Sequence, residues 1–442
     1  MCTNLVPMRP EVKIHSGVKN MGHFRRRPAD LGIARNTVAE AYSQLVAEGW
    51  LTAVQGSGTR VAHRPGATEP TARPDAGSVR RHRFDLGPGS PDVSAFPRSA
   101  WLAATRRALE AASYRALDYG DPRGLPELRA ALAEYVSRAR GVVATPDRVV
   151  VCSGFTQGFR LLCETLAARG AGKLAIERYI QPVTAETAGA CGLRLATVDV
   201  DDEGAAVDQL GSADAALLTP AHQFPIGAPL VARRRVIAVD WALASGGLII
   251  EDDYDGEFRY DRHPLGALQA LAPQRVAYAG TASKTLAPGL RLGWLVLPAD
   301  LVDDVVAAKA LADRNSSAID QLTLADFIVS GAYDRHVRRS RLIYRRRRDR
   351  LVATLRRHAP QVRISGIAAG LHALLELPGG VREEDVVAHA AARGLSLQGL
   401  GNYAHGPHTH APALVVGYAK PPEHAFTGAV ARLAAVLRDA TG

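Results

Sequence analysis

A chain of 442 residues, 47% hydrophobic and 22% charged, has ordinary globular composition and enough length for one large α/β core plus a small module. No apolar run is long enough to span a bilayer and no signal-peptide core opens the chain, so a cytoplasmic protein without membrane contact is expected. With 54 Lys and Arg against 44 Asp and Glu, the net charge of +10 favours polyanionic partners, while four cysteines without metal-ligand spacing point to reduced thiols.

Residues 1–28 show no amphipathic period, and Pro28 would interrupt a helix running into the next segment. After a turn at Gly32, the spacing predicts a helix with Val38, Ala41, Tyr42 and Leu45 on one face and Arg35, Asn36 and Thr37 in its first turn. In a helix-turn-helix that first turn enters a major groove, where those side chains can donate to phosphates or base edges. Residues 51–61 alternate and turn at Gly56 to Gly58 like a β-hairpin wing. A small helical cap is the plainer reading of the same run. Residues 63–83, rich in Pro, Gly, Ala, Ser, Thr and Arg, read as a linker.

Five later segments place polar residues at the ends of apolar runs. Asp118-Tyr-Gly-Asp-Pro-Arg-Gly-Leu-Pro126 is a turn-rich loop before an amphipathic helix of about residues 126 to 140. In Val149-Val-Val-Cys-Ser-Gly-Phe-Thr-Gln157 a β-branched strand runs through Ser153 and Gly154 into a helix N-terminus, whose free N–H groups suit a phosphate. The run Thr219-Pro-Ala-His-Gln-Phe-Pro-Ile-Gly227 follows the strand Ala215–Leu218 and puts His222 and Gln223 at a strand end. Leu248-Ile-Ile-Glu-Asp-Asp-Tyr-Asp-Gly-Glu-Phe258 reads as a buried parallel strand opening into a site, with Asp252 and Tyr254 the residue types that a pyridinium nitrogen and a phenolic oxygen require. In Thr281-Ala-Ser-Lys-Thr-Leu-Ala-Pro-Gly-Leu-Arg-Leu-Gly293, Lys284 sits on a loop between two strands, where burial would keep its amine neutral and nucleophilic. Thr281 and Ser283 add hydroxyls, and the Arg291 guanidinium suits phosphate oxygens. Taken singly, each segment is equally an ordinary polar turn after a strand.

In this order, DYGDPRG, SGFTQG, TPAHQFP, IIEDDYDGEFRY and SKTLAPGLRLG resemble the fold-type I pyridoxal-phosphate aminotransferases over about residues 84 to 442. Within them the chain resembles the MocR-like regulators of the GntR superfamily, and residues 29–61 resemble the recognition helix and wing of a GntR winged helix. The resemblance implies a doubly wound, mostly parallel sheet with a smaller α/β domain, preceded by an incomplete winged helix over residues 1–62. It implies that the cofactor is pyridoxal 5'-phosphate, with Lys284 as the Schiff-base lysine and Arg291 as the phosphate arginine. Asp252 then partners the pyridine nitrogen, Tyr254 donates to the ring oxygen, Gly154 and Phe155 form the backbone phosphate cradle, and Thr281 and Ser283 its hydroxyl side. His222 joins the cofactor-binding set. Tyr119 matches the tyrosine that reaches the phosphate of a neighbouring subunit, which implies a homodimer.

Three departures bear on use. Where the family has a ring-stacking aromatic, residues 177–182 read ERYIQP, with Tyr179 two positions early; Ile226 replaces a threonine; and Val415 stands where aminotransferases place the arginine that clamps a substrate carboxylate. Without a bidentate clamp the substrate is poorly oriented, so weak or absent transamination is expected. The reading that follows is a transcriptional regulator that binds DNA and senses pyridoxal phosphate or an amine adduct at Lys284. The alternative is an aminotransferase with a vestigial DNA-binding segment, favoured by the atypical residues 1–28. Residues 335–350 form an amphipathic helix with one strongly basic face, to be read as solvated or as an auxiliary contact to DNA backbone. His405, His408, His410 and His424 are read as polar-loop residues, and no metal is expected.

Overall fold

The computed structural model describes residues 34–55, 58–62, 82–260, 265–406 and 410–441. The chain divides into two compact units, Met1–Arg80 and Arg81–Gly442. The readings on residues 1–33, the turn residues Gly56 and Ser57, nearly all of the linker, and His408 fall outside the described residues.

In the first unit, α1 (Arg35–Ala47) is followed by the antiparallel pair β1 (Leu51–Val54) and β2 (Gly58–Val61). The left-handed Gly49 turns the chain out of the helix, and the Trp50 N–H donates to Leu45 O at 2.9 Å while the Ala62 N–H donates to Trp50 O at 2.9 Å. Of the expected apolar face, Val38 and Tyr42 are half-buried, whereas Ala41 and Leu45 are exposed and Val46 takes their place.

The second unit opens with β3 (Phe84–Asp85), α2 (Arg98–Ala111) and α3 (Pro126–Arg140). Its main sheet is built from β4 (Val149–Cys152), β5 (Lys173–Glu177) and β6 (Arg194–Val198), then, after a small hairpin of β7 (Val200–Asp201) and β8 (Gly204–Ala205), from β9 (Ala215–Leu218), β10 (Leu248–Asp252), β11 (Val276–Thr281) and β12 (Gly293–Val296). The spatial order is β4-β12-β11-β10-β9-β5-β6, parallel throughout except for β12. Both faces are covered, which is why these strands are continuous apolar runs rather than alternating ones. On one face α4 (Phe155–Ala168), α5 (Pro182–Ala190) and, later in the chain, a helix over residues 302–312 bury Leu162, Ala188 and Val305 against Ile176, Leu217 and Ile250. On the other, Ala238 and Ala242 of α6 (Ala232–Ser245) pack on Ala216, Ile249 and Val276.

Beyond the sheet come α7 (Val302–Ala312), α8 (Ala318–Val329) and the 27-residue α9 (Ala332–His358). The C-terminal lobe holds β13 (Arg363–Ser365), β14 (Ala373–Glu376), α10 (Glu383–Ala392), β15 (Leu395–Ser396), β16 (Gln398–Gly399), β17 (Ala413–Val416) and α11 (Glu423–Thr441). Its antiparallel sheet runs β13-β14-β17-β16, and β3 pairs in parallel with β15. The smaller domain expected from residues 84–112 and 310 onward is therefore divided differently. Ala104 of α2 and Leu324 and Phe327 of α8 pack with Val149 and Val151 of the large sheet, whereas β3 and Leu86, ahead of α2, join the lobe. Helix α9 belongs to both cores: Tyr333 and Val337 lie in the sheet-side cluster, Tyr344, Leu351 and Leu355 in that of the lobe.

One buried ion pair closes this arrangement. The Arg347 guanidinium of α9 donates to Asp92 Oδ2 at 2.9 Å, to Glu423 Oε2 at 2.8 Å, and to the carbonyls of Ala419 and Pro421 at 2.9 and 2.8 Å. Removing one member of a buried, fully bonded pair strands the other charge, at a cost of about 3–5 kcal/mol. Arg347→Met is expected to lower stability in urea unfolding by that amount, and Arg346→Met, exposed one position earlier, by less than about 0.5 kcal/mol.

Candidate cofactor site

The carboxyl ends of β9, β10 and β11 and the N-terminus of α4 meet around a cavity of 260 Å³. Lys284, Asp252, Tyr254, Thr281, Ser283, Arg291 and Phe155 line it together with Phe224, Ile180, Leu217, Leu371 and His372. Strand alternation selects among the acids of β10. Ile249 faces the α6 side and Ile250 the opposite side, so Glu251 and Asp253 turn away from the cavity while Asp252 turns into it. Glu251 accepts from the backbone N–H groups of Leu268 and Gln269 at 2.7 and 2.8 Å, and Asp253 pairs with Arg140 at 2.6 Å.

Asp252 Oδ1 is sealed from solvent and has no hydrogen-bond partner. Burial holds its carboxyl well above the usual carboxylate range, with the nearby Lys284 opposing. Burial likewise pushes the Lys284 ammonium below its ordinary value, with Asp252 and Asp255 opposing, and Lys284 Nζ donates to Gly89 O at 2.5 Å. Each of the two groups is thus biased toward its neutral form.

At the other end, Gly154 precedes α4 with φ +83°, and a Cβ there would stand 2.9 Å from the Arg291 guanidinium, which donates to Ser153 O at 2.5 Å. Arg291 itself has a left-handed backbone, φ 51°. Thr281 Oγ1 donates to Ser283 Oγ at 2.9 Å and accepts from the Ser283 N–H at 3.1 Å. The backbone N–H groups of a helix start, two hydroxyls and a guanidinium therefore converge where a phosphate dianion would be held.

Some residues singled out from sequence stand elsewhere. His222 does not line the cavity: its Nδ1 lies 2.8 Å from Asp255 Oδ2 and 3.1 Å from the Tyr254 hydroxyl, so it stands behind Tyr254. Tyr119 is 76% exposed, outside the cavity, with the Arg314 guanidinium 4.7 Å from its ring centroid. Tyr179 is buried against Tyr403 and Leu400, and Ile180, Gln181, Val183 and Thr184 line the wall in its stead. Ile226 sits in the same apolar cluster, its N–H bonded to Gln223 Oε1 at 3.1 Å, so its turn keeps its bonds without the hydroxyl. Val415, fully buried on β17, lies in that cluster too.

Three site residues were not singled out. Glu177, its carboxyl raised by burial, accepts from the Thr219 N–H at 3.0 Å and from Gln223 Nε2 at 3.1 Å. Asp255 was legible as the last aspartate of the Leu248–Phe258 run. His372 reaches the cavity from the C-terminal lobe, and burial and His222 push its imidazole down to about 3, so it is neutral. Nothing near it in sequence marks it. Among the described residues, the group able to hold a metal is His222, Asp255 and His372 rather than the C-terminal histidines.

Residues 82–378 match the family described as "Aminotransferase class I and II", and residues 29–61 match "Bacterial regulatory proteins, gntR family". A crystal structure of an archaeal alanine:glyoxylate aminotransferase superposes with a TM-score of 0.73 at 24% identity, covering 80% of this chain and 91% of that one, which places the second unit in the fold-type I aminotransferase fold. The regulator YhdI of Bacillus subtilis is 34% identical over 84% of this chain and 81% of its own length. PdxR of Corynebacterium glutamicum is 33% identical over 86% and 83%, and MocR of Rhizobium meliloti 30% over 89% and 84%. The chain belongs to the MocR family of transcriptional regulators, in which a GntR helix-turn-helix is joined to an aminotransferase-like domain.

The Gly154 backbone lies in a region reserved for glycine, where a side chain costs about 1–3 kcal/mol. Gly154→Ala is expected to lose that much stability in urea and to displace Arg291. Gly141→Ala, at the left-handed end of α3 with open space around its Cβ, is the comparison, expected to cost about 1 kcal/mol.

Proposed function

We propose that this regulator holds pyridoxal 5'-phosphate in the 260 Å³ cavity with Lys284 as its covalent anchor, and that cofactor or amine occupancy there governs DNA binding through Arg35, Asn36 and Thr37. The observation that carries the reading is the sealed, unpartnered Asp252 Oδ1 in the same cavity as an amine biased to neutrality. When bound, the cofactor supplies a carbonyl for a neutral amine and a ring nitrogen whose proton a carboxylate retains. Asp252 would accept the hydrogen bond from that ring N–H and so keep the nitrogen protonated. The Tyr254 hydroxyl donates to the ring oxygen, and the His222–Asp255 pair fixes its direction. Gly154, Phe155, Thr281, Ser283 and Arg291 take the phosphate. One relative is named a pyridoxine biosynthesis regulator, which supports a vitamin B6 compound as effector.

Weak transamination is supported by Val415, enclosed by Leu374, Leu400 and Tyr403, where a carboxylate finds no cation. Among the described residues lining the cavity, the basic side chains besides the neutral His372 are Lys284 and Arg291, and this reading commits both to the cofactor. A homodimer is supported by exposed Leu102, Tyr114, Leu117 and Leu311, which lie near Tyr119 or on the adjoining helices, and by Tyr119 standing outside its own cavity. No described helix is long and apolar enough to cross a membrane, in keeping with a DNA-binding protein of the cytoplasm.

Borohydride reduction of the cofactor-loaded protein is expected to fix the pyridoxyl mass on the Lys284 peptide, and Lys284→Ala to abolish it; labelling of another lysine contradicts the assignment. Arg291→Gln removes a charge-assisted contact and should weaken cofactor affinity by roughly 10- to 100-fold in spectroscopic titration. Capture requires the neutral amine, so its rate should rise with pH, with a midpoint below the ordinary lysine value of about 10.4. A midpoint at or above that value, or rapid turnover of a common amino acid, would count against this reading.

A further inference from the structure

The 27-residue helix α9 presents more cations than the fold uses. Its inner face is consumed by packing: Tyr333, Val337, Tyr344, Leu351 and Leu355 are buried, Arg347 is locked to Asp92, and Arg341 Nε donates to Glu257 O at 2.8 Å. On the outer face Arg338, Arg339, Arg345, Arg346, Arg350, Arg356 and Arg357 are all exposed, and among the described residues none of their guanidinium groups makes an ion pair or hydrogen bond. At about 100° per residue these seven fall within an arc of roughly 140°, along about 28 Å of helix. Asp349 and the exposed Leu342 and Ala353 interrupt the stripe.

Exposed arginines elsewhere on this chain are commonly neutralised: Arg233 pairs with Glu203, Arg363 with Glu376 and Arg382 with Asp385. Seven unpaired guanidinium groups on one face repel one another and contribute nothing to the fold. Duplex DNA, with a phosphate charge about every 1.7 Å along its axis, is the polyanion whose charge density matches such a row, and backbone contacts of this kind carry no sequence information.

We infer that the outer face of α9 is a second DNA-contacting surface, on the aminotransferase-like domain itself, that binds duplex phosphates independently of sequence. It adds non-specific affinity, while base readout stays with the helix-turn-helix. The surface does not depend on what occupies the Lys284 cavity.

The test uses the full-length protein and a long mixed-sequence DNA duplex, titrated at several salt concentrations. Two variants with equal loss of charge are compared: Arg338→Gln, Arg345→Gln, Arg346→Gln and Arg356→Gln together, and Arg194→Gln, Arg233→Gln, Arg363→Gln and Arg382→Gln together. Each phosphate contact adds about 0.9 to the slope of log K against log salt, so the α9 variant should lose on the order of 3 from that slope and bind at least about tenfold more weakly at low salt. The control variant should change little. Equal losses in both variants would reduce the effect to net charge and overturn the inference. So would unchanged DNA binding by the α9 variant with lost binding to polyglutamate, which would assign the face to an acidic protein. Retained visible absorbance on pyridoxal phosphate addition shows that the α9 variant is folded, and a folded variant with wild-type slope refutes the surface outright.

Discussion

Asp252 and Lys284 share one enclosed cavity with no ion pair between them, and the architecture of the second unit follows from bringing them there. A carboxylate without a partner and an amine without solvent are costly to bury. The sheet supplies both by ending β10 in one and by placing the other on the loop after β11, so the two arrive at the same carboxyl edge. A ligand that completes the pair would offset that cost. On the proposed reading, a protonated ring nitrogen would complete Asp252 and a neutral Lys284 would take a carbonyl.

The end of the cavity at Gly154 and Arg291 is shaped by a different constraint, close backbone approach. Gly154 and Gly293 stand so near each other that a Cβ on Gly293 would meet Gly154 Cα at 2.8 Å, and a Cβ on Gly154 would meet Arg291. The β4-to-α4 turn, the β12 start and the arginine are therefore fitted as one piece. Behind the ring end, the Tyr254–His222–Asp255 chain depends on Gly370, where a Cβ would collide with His222 Cε1 at 2.3 Å. Through these residues the C-terminal lobe and the large sheet meet at the cavity. Helix α9, spanning both cores and pinned by Arg347, holds the two together.

Much of this was legible in the sequence because it is local. Apolar runs ending abruptly in polar residues gave β4, β9, β10 and β11, and residue type with the family resemblance singled out Asp252. The helix over 126–140 matched its predicted span because proline opens it and Gly141 closes it. Other features were not legible because they depend on contacts between distant segments. His372 has no local pattern and reaches the cavity only because the chain entering β14 brings it beside His222. The division of the lobes was misjudged because α2 and α8 carry apolar faces that do not reveal which sheet they cover. In the first unit, periodicity found α1 and its wing and grouped Val38, Ala41, Tyr42 and Leu45 on one face, of which Val38 and Tyr42 are half-buried and Ala41 and Leu45 exposed.

The central claim is that occupancy at Lys284 is coupled to the DNA-binding unit. The most direct test is the affinity of the full-length protein for the DNA upstream of its own gene, with and without pyridoxal phosphate, in wild type and Lys284→Ala. Coupling of the usual size predicts a change of at least about fivefold in the wild type and none in the variant. An unchanged wild-type affinity, or the same change in both proteins, would contradict the account.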